Sequence, residues 1–202
     1  MFHVKHADAP PPLPAETCAR LSLLEALVRR WSPRIQLVAP GDLDDLRHRH
    51  IDDSLQLIPL LPADADRAID IGSGAGFPGL ILAIATGIPF DLIESDRRKA
   101  AFLREAARET QAPVTVRAAR AEAVRLAPAP LVTARALAPL ARLLTLAAPL
   151  CAPGGVCLFP KGRAADTEIA EAARAWRFRV DRFPSHTHPE GKILRITELV
   201  HV

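Results

Sequence analysis

No apolar run in this sequence is long enough to cross a bilayer. The longest, Gly79 to Ile93, is broken by Gly87, Pro89 and Asp91, and a spanning helix needs roughly 20 apolar residues. The opening stretch, "MFHVKHADAPPPLPAE", has no apolar h-region, so no secretory signal is expected; its prolines and small residues read as a flexible leader. A soluble, cytoplasmic protein is the expectation. Cysteine is scarce: Cys18, Cys151 and Cys157 make an odd number with no Cys-x-x-Cys spacing. That argues against a disulfide framework and for reduced thiols. There is no Gly-Lys-Ser/Thr, which excludes a P-loop, and no internal repeat. The formal charge of only +3 permits an anionic partner such as nucleic acid without demanding one.

What is present is ample core. The 202 residues are 49% apolar, enough for one ordinary globular domain with a modest extension. Leu21, Leu24, Leu27, Val28 and Trp31 recur at helical spacing among charged residues, an amphipathic helix expected to close at Ser32-Pro33. A second helical pattern runs from about Leu43 to Leu61, with Asp42 as its expected N-cap. Residues 1–62 therefore read as a leader and small helical extension, and residues 63–202 as the main domain.

In the main domain "RAIDIG", "IPFDLIE", "PVTVRAA", "PLVTARA" and "GVCLFP" are short, apolar and bounded by Gly, Pro or Asp. Helical patterns at Gly79–Thr86, Arg97–Thr110, Ala138–Leu150 and Asp166–Trp176 lie between and after them. Alternation of this kind predicts an α/β fold with a mainly parallel sheet. The ending differs: "WRFRVDRF" and "KILRITELV" are joined only by "PSHTHPEG" and must pair antiparallel. Five βα units closed by a C-terminal hairpin is the Rossmann-like layout of class I S-adenosylmethionine-dependent methyltransferases.

In an open α/β sheet ligands bind beyond the carboxyl ends of the strands, where strand order reverses. The first βα turn is "DIGSGAGFPG". Gly74, Gly76 and Gly79 allow a dinucleotide-type reading, but the better register is Gly72, Gly74 and Gly76, two residues past Asp70. Asp70 and these glycines form the expected cofactor-binding loop. Pro78, at the expected helix start, has no N–H to offer a pyrophosphate. The next strand ends at Glu94, at the right distance to bind ribose hydroxyls. S-adenosyl-L-methionine suits this pairing, with a ribose for Glu94 and no phosphate. After the third strand, "AARAEAVRL" places Ala121 and Glu122 where an adenine edge would be read. Glu122 as a helix N-terminal carboxylate is an equal alternative.

At this point nearly the whole chain resembles the GidB/RsmG family of 16S ribosomal RNA guanine-N7 methyltransferases. "DIGSGAGFPGLILAI", "LIESDRRKAAFLREAARE", "ARAEA", "VTARALAPL", "LFPKG" and, upstream, "RHIDDSLQL" carry the resemblance. It implies that Phe77 lines the cofactor with the glycines. It also implies that Ala121 and Glu122 contact the adenosyl part, and that Arg135 is the active-site and catalytic residue, touching the cofactor as well. His50 and Asp53 match a segment over the cofactor mouth, and Lys161 matches the family's Lys-Gly. These are the expected substrate-side residues. The family's usual Asn-Leu-Thr is replaced by "IQLVAP", in which Gln36 could make the amide contact. Thr133 stands for the usual serine ahead of Arg135 and keeps a hydroxyl.

The implied partner is 16S rRNA or the small ribosomal subunit, with no metal and no membrane. Guanine N7 has a lone pair and no proton, so methylation there needs no general base, and no nucleophile with an activating partner is visible. A methyltransferase of the same fold acting on a small molecule or protein is the alternative. A nicotinamide-dependent oxidoreductase is a more distant one, since the sheet ending is wrong for it. Arg29, Arg30, Arg34, Arg47, Arg49 and Lys161 are candidate phosphate contacts only if they cluster.

Overall fold

The computed structural model describes residues 12–202; the greater part of the expected leader, residues 1–11, lies outside them. Helix α1 (Ala15–Ile35) buries Leu21, Leu24, Leu27 and Val28 as its spacing requires. It does not stop at Ser32-Pro33. Proline costs a helix one backbone hydrogen bond, and in the last turn that loss is local. The helix ends instead at Gln36, whose left-handed φ of 47° lets its N–H reach the Ser32 carbonyl at 2.9 Å.

The expected second helix is broken into short pieces. A 3-10 turn (Pro40–Asp42), a π-helical turn (Arg47–Asp52), the three-residue α2 (Asp53–Leu55) and another 3-10 turn (Ile58–Leu60) replace it. Asp42 caps nothing; its carboxylate meets Arg49 Nε at 3.0 Å and His50 Nε2 at 3.2 Å. Pro40 and Pro59 interrupt the backbone ladder at both ends. Between them the wide turn swings His50 and Asp53 toward the main domain, a use to which π-turns are often put.

The sheet has seven strands in the order β3-β2-β1-β4-β5-β7-β6. These are β1 (Ala68–Ile71), β2 (Phe90–Ile93), β3 (Val114–Arg117), β4 (Ala129–Thr133), β5 (Cys151–Lys161), β6 (Trp176–Pro184) and β7 (Lys192–His201). The first five are parallel, and β7 runs antiparallel to both β5 and β6, the expected closing hairpin. Strand order reverses between β1 and β4, where Asp70 lies opposite Thr133.

Both faces of the sheet are covered, as a parallel sheet requires. Helices α3 (Gly79–Thr86) and α4 (Arg97–Thr110) pack on one face with α1, around Leu24, Leu80 and Phe102. On the other, α5 (Leu140–Ala147) and α6 (Ala165–Ala172) enclose Ile69, Leu144 and Phe159. Alternation along β1 sends Ile69 and Ile71 to the second face and Ala68 to the first. Helix α6 is shorter than its pattern, because Trp176 already opens β6. Among the described residues no helix is long and apolar enough to cross a membrane.

Candidate active site

The loop between β1 and α3 is held from three directions. Gly72 and Ser73 donate their N–H groups to the Ile93 carbonyl at 2.8 and 3.1 Å, tying the loop to β2. Gly76 takes a φ of +94°, and any Cβ there would stand 2.7 Å from Leu80 Cβ. At Gly79 the demand is proximity, since a Cβ would lie 2.5 Å from Asp70 Cβ. The third tie is Glu94, which is 8% exposed. Its Oε2 accepts from Gly74 N–H at 2.8 Å and its Oε1 from Asp96 N–H at 2.7 Å. Asp96 in turn caps α4 through the N–H groups of Arg98 and Lys99.

Asp70 does not line the cleft, contrary to the expectation of direct cofactor contact. It is fully buried beneath the loop, and Thr133 Oγ1 donates to its Oδ1 at 2.6 Å. Oδ2 has no hydrogen-bond partner among the described residues. Burial pushes this carboxyl up to about 6, against the pull of the hydrogen bonds from Thr133 and its neighbours. Asp70 therefore supports the loop from below.

Two cavities open beyond the carboxyl ends of the strands. The smaller, about 210 Å³, is lined by Gly72, Ile93, Ser95, Ala121, Glu122 and Leu137, among others. Leu137 lies directly over Gly72; a Cβ at that glycine would be 2.7 Å from its Cδ1. Ala121 and Glu122 thus come to the same cavity as the glycine loop, although Glu122 is half exposed and paired with Arg142. The larger cavity, about 650 Å³, is bordered by Arg49, His50, Asp53, Arg135, Lys161 and Thr187. Leu137 and Ala138 border both. The loop after β4 is therefore the partition between them.

Arg135 is the centre of the larger cavity's wall. Its Nη1 donates to Asp53 Oδ2 at 3.0 Å and to the Arg49 carbonyl at 3.1 Å, and its Nη2 meets His50 Nδ1 at 2.7 Å. The guanidinium sits 5.4 Å from the centroid of the Phe77 ring, on which His50 stacks at 5.0 Å, nearly parallel. A guanidinium can only donate, so His50 Nδ1 is the acceptor and the ring proton belongs on Nε2, which faces Asp42. Burial first, and then the Arg135 charge, lower the His50 pKa to about 4, outweighing Asp42 and Asp53. His50 is neutral at neutral pH.

Not every expected residue joins this group. Lys161 borders the larger cavity, but its ammonium donates to the Ala138 carbonyl and pairs with Glu168 Oε2, both at 2.7 Å. Glu168 Oε2 also accepts the Leu140 N–H that opens α5. Lys161 braces the partition loop. Gln36 lies elsewhere, exposed at the end of α1 in a cleft it shares with Asp96, Arg98 and Lys99. Among the candidate phosphate contacts, Arg29 and Arg47 pair with Glu25, and Arg49 pairs with Asp42.

The model of the GidB family, described as rRNA small subunit methyltransferase G, matches residues 17–193. The chain belongs to the rRNA small subunit methyltransferase G family. Among curated relatives of that name, the protein from Rhodospirillum centenum is 56% identical over 91% of this chain and 85% of its own length. The one from Gluconobacter oxydans is 50% identical over 93% and 96%. Solved structures agree on the fold of class I methyltransferases. The glycopeptide N-methyltransferase MtfA, complexed with S-adenosyl-L-methionine, gives a TM-score of 0.64 at 10% identity, covering 73% of this chain and 93% of its own. A T. thermophilus 16S rRNA methyltransferase in complex with AdoMet and guanosine gives 0.55 at 16% identity, covering 76% and 39%.

Several residues of this family member's site carry no readable signal in its sequence. Asp42 looks like a helix cap, and Glu168 like a solvated helix residue. Gln56, Ser185 and Thr187 meet around Asp53 from segments about 130 positions apart. Only Leu137 had a local cue, an apolar residue in the loop after a strand that ends at the switch point.

Proposed function

We propose that this chain methylates N7 of a guanine in 16S ribosomal RNA, with S-adenosyl-L-methionine as the methyl donor. The observation that carries the proposal is the pair of cavities divided by one loop, in a chain of this family. One cavity lies against the glycine loop beside Glu94, and the other lies against Arg135. The first fits the cofactor by its donor set. Glu94 already accepts two N–H groups, and each carboxylate oxygen keeps capacity for a hydroxyl donor. Gly74 N–H is committed to Glu94 and Pro78 has none, so a pyrophosphate would find few donors here.

Gly72 lines the cofactor cavity with Leu137, Gly74 and Gly76 shape the loop behind it, and Phe77 carries the Arg135 side; Glu94 takes the ribose, and Ala121 with Glu122 flanks the base. When bound, S-adenosyl-L-methionine supplies an electrophilic methyl group on a positively charged sulfur. The chain's own task is placement. Guanine N7 has no proton to lose, and His50, neutral and committed to Arg135, is not poised as a base. Arg135 is held over Phe77 by Asp53 and His50, and holds the target guanine at the partition by donating to O6, leaving the N7 lone pair free for the methyl group. The purine gains positive charge as the methyl group arrives, and Asp53, which lines the cavity, offsets the Arg135 charge beside it. Precise approach accounts for the larger part of the rate. The base must be unpaired or flipped to enter. Ribosomal RNA as substrate sets the work in the cytoplasm.

Mapping N7-methylguanine in 16S rRNA from cells with and without the gene tests the reading. Loss of one modified guanine on deletion, restored by the wild-type gene and not by Arg135→Ala, is the expected result. An unchanged rRNA would leave a same-fold methyltransferase of a small molecule or protein.

A further inference from the structure

The loop joining β6 to β7, residues 185–191, reads in the sequence only as the short joint of the closing hairpin. In the fold it reaches across the larger cavity to the helical extension. Thr187 Oγ1 donates to Asp53 Oδ1 at 2.6 Å, and Gln56 Nε2 donates to the same oxygen at 2.8 Å. Gln56, buried to 3% exposure, also accepts the His186 N–H at 2.8 Å, so it pins the loop it works beside. Ser185 Oγ lies 3.0 Å from Thr187 Oγ1. The other oxygen of Asp53 takes Arg135 at 3.0 Å, and the two side chains of that pair keep only 14% and 17% exposure.

A carboxylate fixed at one oxygen by a hydroxyl and an amide has little freedom to turn. The arginine on its other oxygen is then held in advance, and less side-chain entropy remains to be lost when substrate arrives. We propose that Thr187 is a positioning residue for Arg135, acting through Asp53. This rests on the active-site role given to Arg135 above. The hairpin that closes the sheet thereby becomes part of the active site: its loop orients the arginine without touching the target base.

Thr187→Val removes the hydroxyl at nearly constant shape, and Thr187→Ser keeps it. The first readout is independent of methyl transfer: the NMR titration of the His50 ring, assigned by its loss in His50→Gln. Arg135 helps hold that pKa down, while Asp42 and Asp53 act the other way; Asp45, His48 and Arg49 line the same cavity. A loosened Arg135 lets the His50 pKa rise by about half a unit or more in Thr187→Val, with Thr187→Ser close to wild type. The second readout is kinetic. We expect kcat to fall about tenfold in Thr187→Val, with the KM for S-adenosylmethionine unchanged and the serine variant rescued. An unmoved His50 titration, or a serine variant as impaired as the valine one, overturns the proposal. If the valine variant does not fold, Thr187→Ala carries the same readouts. A protein that methylates no rRNA sinks the substrate assignment, while the His50 titration still decides this one.

Discussion

Single residues at this site do two different jobs with similar chemistry. Glu94 and Asp70 both support the glycine loop, yet Asp70 is fully buried while Glu94 keeps 8% exposure between Ile93 and Ser95, which line the cavity. Glu94→Ala should weaken S-adenosylhomocysteine binding roughly 10- to 100-fold, the worth of charge-assisted hydrogen bonds. Isothermal calorimetry would measure it, and an unchanged Kd would remove Glu94 from the site. Asp70 and His50 make a second prediction, through pH. The folded pKa of Asp70, about 6, lies above its ordinary 3.8. Between those values the folded state binds the extra proton, so stability falls as pH rises. His50 is the reverse: its folded value of about 4 lies below 6.5, so the unfolded chain binds the extra proton and stability rises with pH. The two slopes oppose each other over nearly the same interval. Asp70→Asn should therefore steepen the rise of urea midpoint from about pH 4.5 to about pH 6.5, and His50→Gln should leave a fall. For fully buried Asp70 the change is on the order of 3 kcal/mol. Parallel profiles for wild type and both variants would contradict the pKa assignment.

At the scale of elements, the glycine loop with α3 and α4 was readable and the second half of the helical extension was not. Their boundaries, Gly79–Thr86 and Arg97–Thr110, coincide with the sequence pattern. Local signals there agree: glycines precede α3, and both helical patterns lie between short apolar stretches bounded by Gly, Pro or Asp. In residues 40–61 the same spacing belongs to four short turns, because what organises them is contact with the sheet domain. His50 answers to Phe77 and Arg135, and Asp53 to Thr187, and no local pattern records such distant partners. For the same reason the sequence located Arg135 at a strand end but left its supports, Gln56 and Thr187, unmarked. The loop's packing gives a test at this scale. Gly79→Ala would place a Cβ 2.5 Å from Asp70 Cβ and 2.7 Å from Leu92 Cδ2. It should cost about 1–3 kcal/mol and reduce S-adenosylhomocysteine binding with it. Gly41→Ala, with nothing within 4 Å of its Cβ, is the control and should be close to neutral in the same denaturation series.

Across the whole molecule, the sequence reads as an extension followed by a domain, whereas the packing joins them. Leu21, Leu24, Val28, Leu46, Ile51 and Leu57 belong to the same buried cluster as Leu80, Phe102 and Leu103. The other face of the sheet has its own cluster, yet the strands between them are shared. A segment that buries its apolar side only against the sheet domain has little reason to remain folded without it. We therefore expect the chain to unfold in one cooperative step. The composition makes this easy to check, because there are two tryptophans and no tyrosine. Trp31 sits in α1 with its ring edge-on to Phe102 at 5.7 Å, and Trp176 opens β6 at the far edge of the sheet. In Trp176→Phe the fluorescence reports only the extension, and in Trp31→Phe only the sheet edge. Each variant's own stability is set by following far-UV circular dichroism in the same samples. Fluorescence and dichroism midpoints in urea should coincide within each variant. An early Trp31 transition in Trp176→Phe, ahead of the dichroism change, would mean that the extension is an independent unit docked on the sheet. The His50–Phe77–Arg135 stack would then come apart before the fold does, so S-adenosylhomocysteine binding at intermediate urea should outlast rRNA methylation. With a single transition the two are lost together.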